Sequence, residues 1–391
     1  MQPLAGITVV SIEVAIAAPF ASRQLADLGA RVIKIERPQV GDFARSYDNK
    51  AHGLASHFVW TNRSKESLTL DLKQADGCKI LEQLLAKADI FLHNAAPGAV
   101  DRLGFSEERL RQTYPNLIIC SISGYGTTGP YRDKKAYDLL LQAEAGLLSI
   151  TGTADTPAKA GIPVADLAAG MYAYSSILTA LLARQQTGQG QVIEISLLEA
   201  LAEWMGFPIY YTLGGSQPSR NGASHAAIAP YGPFATGDGG VIVLGIQNER
   251  EWQQFCQIVL QRPELANDER FGGNLQRVNH RPALHEVIDE VFAQLTLDEV
   301  VQRLEQAGIA NGEMRTVQGL IDHPQLVARQ RWQQVDSPVG KLPALLPAAT
   351  ISGVEPRFDP IPALGEHTEA ILNELGYNAT EIQRFQTEKV I

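Results

Sequence analysis

The residue best placed to do chemistry is Asp166, within the small-residue segment 161–170. It stands at the predicted N-cap or first turn of an apolar helix that runs to about Arg184. Exposed amides and the helix dipole at that end favour an ionised carboxylate, a competent nucleophile toward an activated acyl group. Aspartate is also a common N-cap for structural reasons alone. The residues by themselves therefore leave Asp166 as either a helix cap or a nucleophile.

Basic side chains follow the predicted strands. Arg37 comes directly after one strand, Arg45 a turn later, and Arg102 after the loop that follows another strand. The carboxyl ends of parallel strands are where such sheets bind ligands, and the guanidinium fork suits phosphate oxygens. For any single arginine, a solvated surface charge is the more common explanation. Together they indicate a phosphorylated ligand.

Several other sites are disfavoured. Glu36 ends a βαβ pattern, but the loop at 11–19 contains no glycine, so a dinucleotide-binding fingerprint is absent. The eight histidines show no HxxxH or HxH pairing with a carboxylate, and the three cysteines show no CxxC spacing. We therefore expect neither a metal site nor a disulfide framework.

Composition sets the wider limits. Of 391 residues, 45% are hydrophobic and 19% charged, with a formal net charge of −10. That charge disfavours nucleic acids and anionic membranes as partners. The first residues show no signal-peptide pattern and the apolar runs are short. We expect a cytoplasmic protein without a membrane partner.

Strands and helices alternate over the first 200 residues, which predicts a mainly parallel, doubly wound α/β sheet. Residues 205–240 are rich in Gly, Pro and Ser, helical patterns dominate 249–325, and 338–362 is rich in proline. A last helix is predicted from about Glu366. The predicted strands are 7–10, 31–36, 67–72, 90–92, 117–121 and 192–196, and the predicted helices between them are 18–28, 74–88, 106–112 and 166–184.

Five blocks of the sequence resemble the family III CoA-transferases, which include formyl-CoA and carnitine CoA-transferases and the related α-methylacyl-CoA racemases. The blocks are Ala17–Pro19, Leu28–Pro38, Pro97–Ala99, Val164–Met171 and Leu364–Thr368. The resemblance implies that Asp166 is the nucleophile and that a CoA thioester is a substrate, with no permanently bound cofactor.

The resemblance also implies a CoA-binding set. Arg37 matches an arginine near the adenosine end of CoA, and the loop that lines the nucleotide pocket is matched by Asn94, Ala99 and Arg102. Lys135 and Tyr137 match residues near the active site. Ala15 and Ala17 match small residues beside the pantetheine path.

Two departures from the family pattern narrow the activity. Val14 and Ile16 stand where formyl-CoA transferases carry His and Gln, which disfavours formate or oxalate. Tyr137 stands where the racemases carry a histidine, and tyrosine is a poor general base because its pKa lies near about 10. The sequence therefore favours transfer over racemisation.

Within the transferases, the chain looks most like the branch that moves CoA from succinyl-CoA to itaconate, mesaconate or citramalate, through an aspartyl-CoA thioester. A racemase-like activity, or transfer to formate, oxalate or carnitine, is the alternative. The distal carboxylate of such an acid needs a cation. The sequence does not choose among Arg45, Lys135, Arg220 and His225.

The resemblance implies a large Rossmann-like domain from both chain ends, a smaller inserted α+β domain and an interlaced homodimer. We place the large domain at 1–200 and 330–391, the small one at 225–325, and linkers at 200–225 and 325–330.

Overall fold

The computed structural model describes residues 2–391, which form two compact units. The large unit comprises the chain up to Gly146, Ala160–Phe207 and Ala328–Ile391, and the small unit comprises Leu147–Lys159 and Pro208–Val327. The division differs from the predicted one in three places. Residues 147–159 belong to the small unit, and both stretches predicted as linkers, 200–225 and 325–330, contain helix.

The large unit is built on a six-stranded parallel sheet in the order β3-β2-β1-β4-β5-β6. This order confirms the doubly wound sheet and puts its switch point between β1 and β4, where such sheets bind ligands. The strands are β1 Thr8–Ile12, β2 Arg31–Glu36, β3 Lys65–Thr69, β4 Ile90–His93, β5 Ile118–Ser123 and β6 Val192–Ser196.

Eighteen α-helices lie in the described residues. In chain order they are α1 Ala17–Asp27, α2 Ser56–Thr61, α3 Ala75–Leu85, α4 Ala99–Arg102, α5 Glu107–Thr113, α6 Asp138–Glu144, α7 Leu147–Ile150, α8 Val164–Thr187, α9 Leu197–Trp204, α10 Gly206–Leu213, α11 Glu249–Gln254, α12 Asn274–Asn279, α13 Arg281–Phe292, α14 Leu297–Ala307, α15 Val317–Ile321, α16 Pro324–Ala328, α17 Thr368–Glu374 and α18 Ala379–Thr387.

Both faces of the parallel sheet are covered, which is why its strands read as nearly continuous apolar runs. On one face α1 and α8 bury small residues such as Ala21, Ala169 and Ala173. On the other face α3, α17 and α18 bury larger ones, including Leu81, Leu372 and Phe385. The small residues let α1 and α8 approach closely, and this proximity positions the site.

Helix α8 is 24 residues long and, by length and composition alone, apolar enough to cross a membrane. Eight of its residues, among them Ala165, Ala173 and Leu181, are buried in the core of the large unit. It therefore has the packing of a core helix. It begins two residues before the predicted start and ends at Gly188, a glycine in the left-handed conformation.

The small unit contains an antiparallel sheet in the order β7-β8-β9, with its own aromatic core around Trp252, Phe255 and Phe292. A separate two-stranded pair, β10-β11, lies in the returning segment of the large unit. The sequence analysis missed all of these strands. Their bounds are β7 Tyr231–Ala235, β8 Val241–Gly245, β9 Ala310–Glu313, β10 Trp332–Val335 and β11 Leu342–Leu345.

The end of the chain covers the edge strand β3. The amide of Ser67 donates to His367 Nδ1 (3.2 Å), and that of Thr69 donates to Thr368 Oγ1 (3.1 Å). Further on, the amide of Asp71 donates to the carbonyl of Val390 (2.7 Å). An edge strand that would otherwise expose unpaired backbone is thereby occupied.

Candidate active site

Asp166 lies in the first turn of α8, but it does not cap the helix. The N-cap residue is Pro163, which has no side-chain cap. The amides of Ala165 and Asp166 donate instead to Oδ1 of Asp138, at 2.8 and 3.3 Å. The proposed cap role of Asp166 is therefore wrong, because a carboxylate from 28 residues earlier takes the free amides.

Asp138 is itself held in place. Its Oδ2 accepts a hydrogen bond from Nε2 of the buried Gln142 (2.6 Å), and Gln142 Oε1 accepts one from the amide of Ala160 (2.9 Å). This chain of donors and acceptors fixes the orientation of the Gln142 amide. The carboxylate beside Asp166 thus has a single preferred position.

The pKa of Asp166 is raised to about 7, first by burial and second by the negative charge of Asp138. We expected the helix N-terminus to hold this group ionised. The opposite shift arises because burial penalises the charged form and Asp138 already occupies the stabilising amides. At neutral pH Asp166 is therefore only partly ionised, and its carboxylate is basic for an aspartate.

Tyr47 interacts electrostatically with both Asp166 and the predicted site residue Tyr137. Burial raises the pKa of Tyr47 to about 12, and Asp42, Asp166 and Tyr137 add to the shift. Tyr47 also meets His57 edge-on, with ring centroids 5.4 Å apart. Tyr137, a predicted site residue, directly precedes α6 and has 66% of its surface exposed. Tyr137 and Asp166 thus both lie close enough to Tyr47 to raise its pKa.

The start of α1 packs against α8 one turn beyond Asp166. A Cβ on Gly170 would lie 2.7 Å from the carbonyl oxygen of Ala17, so only glycine fits there. Ala17 is buried, whereas Ala15 is half-buried. Ala15 therefore lies in the loop that leads from β1 into α1, and Ala17 is the first residue of that helix.

Asn94 holds this loop. Its Oδ1 accepts from the amide of Val14 (2.9 Å) and its Nδ2 donates to the carbonyl of Val14 (2.8 Å). Asn94 follows β4 and Val14 follows β1, so the clamp lies at the switch point of the sheet. The predicted site residue Asn94 thus has a positioning contact within the protein.

A fully buried group of charges lies under the same loop. Lys34 donates to Asp42 Oδ2 (2.7 Å) and lies 3.6 Å from Glu13 Oε1, which also accepts from Lys65 (2.7 Å). Burial opposes ionisation of Glu13, but the two lysines lower its pKa. Burial lowers the pKa of Lys65 to about 7.

Arg45, a candidate for the distal carboxylate, is committed elsewhere. Its Nε and Nη2 each donate to Glu36 at 2.8 Å, and its guanidinium lies 3.7 Å from the ring centroid of Phe58. Arg45 is therefore not available to a substrate in this structure. The sequence could not show this ion pair, because Arg45 and Glu36 are nine residues apart and only the fold brings them together.

The other predicted cations of the large unit point to solvent: Arg37, Arg102 and Lys135 are exposed. Arg102 and the predicted Ala99 form the ends of α4. The loop before α4 lines a cavity of about 330 Å³, together with His93, Ser121 and Ser123. The structure thus brings Ala99 and Arg102 together beside a cavity at the ends of β4 and β5.

Arg220 and His225 belong to the small unit. Arg220 donates to the carbonyls of Thr153 and Ala154, at 2.9 and 2.7 Å. The ring of His225 stacks on Tyr231 at 5.2 Å, and its Nδ1 accepts from the amide of Ala227 (3.1 Å). Because Nδ1 is an acceptor, the proton of the neutral ring is on Nε2, a fixed hydrogen-bond donor.

Sequence reasoning missed four residues that shape this site: Asp138, Gln142, Tyr47 and Asp42. The pattern Asp138-x-x-x-Gln142 carries an i, i+4 spacing on one helix face, a signal that a polar side chain is being held in place. No local signal reveals that its partner amides lie in α8.

The parallel sheet and the half-buried carboxylate at the start of its core helix define a doubly wound α/β enzyme. A family model described as CoA-transferase family III matches residues 4–368, and the chain belongs to this family. Human succinyl-CoA:glutarate CoA-transferase is 33% identical over 380 residues, covering 96% of this chain and 86% of the human protein.

Two further relatives act on different acids. Succinyl-CoA–D-citramalate CoA-transferase of Chloroflexus aurantiacus is 32% identical, covering 100% of this chain and 98% of the relative. Acetyl-CoA:oxalate CoA-transferase of Acetobacter aceti is also 32% identical, covering 84% of each chain.

Solved structures agree with the fold. A CAIB/BAIF family protein from Brucella suis superimposes with a TM-score of 0.84 at 34% identity, covering 96% of this chain and 99% of that one. Rv3272 from Mycobacterium tuberculosis gives 0.84 at 28% identity, covering 95% and 99%. These findings confirm the family resemblance and the fold class.

Proposed function

We propose that this CoA-transferase moves CoA from succinyl-CoA to a short dicarboxylic acid, with Asp166 as the nucleophile. The acid is of the glutarate, citramalate, itaconate or mesaconate type. The half-buried, basic carboxylate of Asp166 carries the proposal. The names of the glutarate and citramalate relatives support the substrate class.

The proposed reaction exchanges one thioester for another. A carboxylate oxygen of Asp166 attacks the thioester carbonyl carbon of succinyl-CoA, and the C–S bond breaks to give a succinyl–aspartyl anhydride and CoA thiolate. The thiolate then attacks the aspartyl carbonyl, and succinate leaves as a carboxylate. The product of this half is an aspartyl-CoA thioester.

The second half runs in the opposite sense. A carboxylate of the acceptor attacks the aspartyl thioester and displaces CoA thiolate, which then attacks the acceptor carbonyl of the new anhydride. The acceptor leaves as its CoA thioester and Asp166 is regenerated. Only a carboxylate can serve here, because an acylated serine could not itself carry CoA.

The raised pKa of Asp166 suits the first attack. A more basic carboxylate is a stronger nucleophile, provided that a usable fraction is ionised at the working pH. With a pKa of about 7, both conditions hold near neutrality. Asp138 accepts the hydrogen bonds of the nearest amides, which therefore do not stabilise the charge of Asp166. The Asp166 carboxylate is left more basic and so more nucleophilic.

The decisive variant is Asp166→Asn. We expect CoA transfer to fall by roughly a thousandfold or more. Wild-type protein incubated with succinyl-CoA should gain the mass of CoA less water on the peptide that contains Asp166, and the variant should not. Asp298→Asn removes an exposed carboxylate from the first turn of another helix, α14, and serves as the matched control. Substantial turnover by Asp166→Asn would sink the mechanism.

The acceptor is tested with a panel of acids, scored by mass spectrometry for new thioesters. Of the four candidate cations for the distal carboxylate, Arg45 is already paired with Glu36. Lys135→Met, Arg220→Met and His225→Leu are therefore each assayed with glutarate and with butyrate, a monocarboxylate of similar reach. Loss of the cation that binds the distal carboxylate should weaken glutarate more than butyrate, and equal weakening of both acids by all three variants would argue against a cation from this set.

Oxalate is the second candidate acceptor, because a relative named for it covers most of the chain. Val14 and Ile16 provide no polar group beside the site, so we expect C4–C5 dicarboxylates to outcompete it. A racemase would instead incorporate solvent deuterium at the α-carbon of a 2-methylacyl-CoA. Tyr137 in place of a histidine predicts no such exchange.

We further propose a cytoplasmic homodimer. Support comes from α10, where Ile209, Tyr210 and Leu213 expose 44%, 77% and 77% of their surfaces. Clustered apolar side chains on one short helix are typical of a protein–protein contact. Sedimentation that gives the mass of one chain would contradict the dimer.

A further inference from the structure

The loop between β1 and α1 contains a strained residue. Ala15 has a φ of 61°, in the left-handed region that residues other than glycine rarely adopt. Such strain persists only where surrounding contacts impose it, and it clusters at functional sites. The backbone of Ala15 must therefore be held by contacts with neighbouring segments.

One of these contacts is a buried carboxylate. The amide of Ala15 donates to Asp42 Oδ1 (3.1 Å), which also accepts from the amide of Ala44 (2.9 Å). Asp42 is 1% exposed, and its other oxygen is held by Lys34 at 2.7 Å. The amide of Asp42 donates in turn to Glu36 (3.0 Å). Asp42 is thus fixed on every side and cannot follow a movement of the loop.

Asp42 and Asn94 grip the loop from opposite sides. Asn94 follows β4 and Asp42 lies in the segment after β2, and these two strands flank β1 in the sheet. Asn94 binds the backbone of Val14, and Asp42 binds that of the next residue. The loop then enters α1, whose Ala17 carbonyl abuts Gly170 one turn after Asp166.

We propose that Asp42 is a positioning residue for the transfer reaction: held by Lys34, it keeps Ala15 left-handed and so sets the start of α1 against the turn that carries Asp166. This inference rests on the proposed role of Asp166. The acyl group must meet Asp166 within a fraction of an ångström of the attack geometry, and a shift of the facing backbone lowers the rate of reaction more than binding.

The test compares Asp42→Asn with a second substitution of a buried aspartate. Asp42 contacts the loop at the start of α1, and the second aspartate lies at the other end of α1. Asp42→Asn keeps an acceptor for the Ala15 amide but presents an NH₂ group to Lys34. Asp27, at the end of α1, is also 1% exposed and binds Arg63 through two hydrogen bonds. Asp27→Asn therefore removes an equally buried carboxylate without touching the loop.

We expect Asp42→Asn to lower kcat roughly ten- to a hundredfold with KM for the acyl-CoA within about threefold. Asp27→Asn, assayed below its melting temperature, should keep kcat within about threefold of wild type. Adding Ala15→Gly to Asp42→Asn should recover at least about tenfold of the loss, because glycine adopts positive φ without strain.

Each other result overturns the inference: an unchanged kcat in folded Asp42→Asn, an equal loss in Asp27→Asn, or no recovery in the double variant. Asp166→Asn is assayed alongside. If that variant keeps its activity, the nucleophile assignment fails, whereas a failure confined to Asp42→Asn rejects only the positioning role.

Discussion

Two carboxylates of the large unit, Asp166 and Glu36, are both withdrawn from water, yet their pKa values move in opposite directions. Burial and the charge of Asp138 raise the pKa of Asp166 to about 7. Burial also opposes ionisation of Glu36, but Arg45 and Lys34 bring its pKa down to about 2. The difference lies in the partners, since one carboxylate meets two cations and the other meets a second carboxylate.

The comparison shows how one sheet can hold both kinds of group. Charges that stabilise the fold are neutralised within the buried group under the loop, where Lys34 and Arg45 meet Asp42 and Glu36. Asp166, the proposed nucleophile, lies where no cation among the described residues pairs with it. Perturbed pKa values of the second kind are typical of functional sites.

The largest effect should follow from breaking the paired region. Lys34 contacts both Asp42 and Glu13, and Lys34→Met removes this shared cation. We expect the substitution to lower the free energy of unfolding by about 3–5 kcal/mol. Urea denaturation measures this change. Lys79→Met, on the exposed face of α3, should change the same quantity by less than about 0.5 kcal/mol. Similar values for both variants would contradict the paired description.

The next effect has the opposite sign. In the unfolded chain Asp166 ionises near its ordinary pKa of 3.8, and in the folded protein only near about 7. Rising pH between these values therefore destabilises the wild type, and Asp166→Asn removes the penalty. We expect a gain of roughly 1–3 kcal/mol at pH 8 that vanishes near pH 4, measured by urea denaturation across that range.

Glu36→Gln is the matched variant. Because the folded pKa of Glu36 is lowered, its ionised form stabilises the protein at neutral pH, and that contribution fades as the pH falls toward about 2. Glu36→Gln should therefore be less stable than the wild type at pH 7, and the deficit should shrink at pH 4. A shared sign for the two variants at pH 8 would remove the contrast.

The smallest effect concerns the shift at Asp166 alone. Asp138 from α6 is the charged group that acts on Asp166, and the charge of Asp166 acts in turn on Tyr47. Since kcat/KM follows the ionised form, it should rise with pH around an apparent pKa of about 7. Asp138→Asn keeps an acceptor for the Ala165 amide but removes the charge, so the midpoint should fall by about half to one pH unit. A midpoint that does not move would exclude Asp138 as a cause.

The fold was largely predictable because its signals are local. Strand β6 falls where alternation placed it, at 192–196, and Gly188 ends α8 as a glycine at that position should. The strands β10 and β11 were missed because the proline-rich segment hides them. Pro343 lies opposite Gln334 in a two-stranded pair, where a missing amide is tolerated.

The site was only partly predictable, because its chemistry depends on partners distant in the chain. Asp166 and Tyr137 stand out from the sequence, but the loss of the helix amides to Asp138 does not. Arg45 looked free because an arginine carries no mark of its partner. The hydrophobic periodicity of a helix or strand can be read from the sequence, whereas the partner of a charged side chain depends on how the backbone folds.

The closed edge of β3 has a consequence for biosynthesis. Its partners, His367 and Thr368, lie 300 and 299 residues after the strand residues that they contact, so they leave the ribosome long after β3. The edge of β3 therefore remains unpaired while the small unit is synthesised. Synthesis order gives the small unit its complete chain first, and the edge of the parallel sheet is closed only after that.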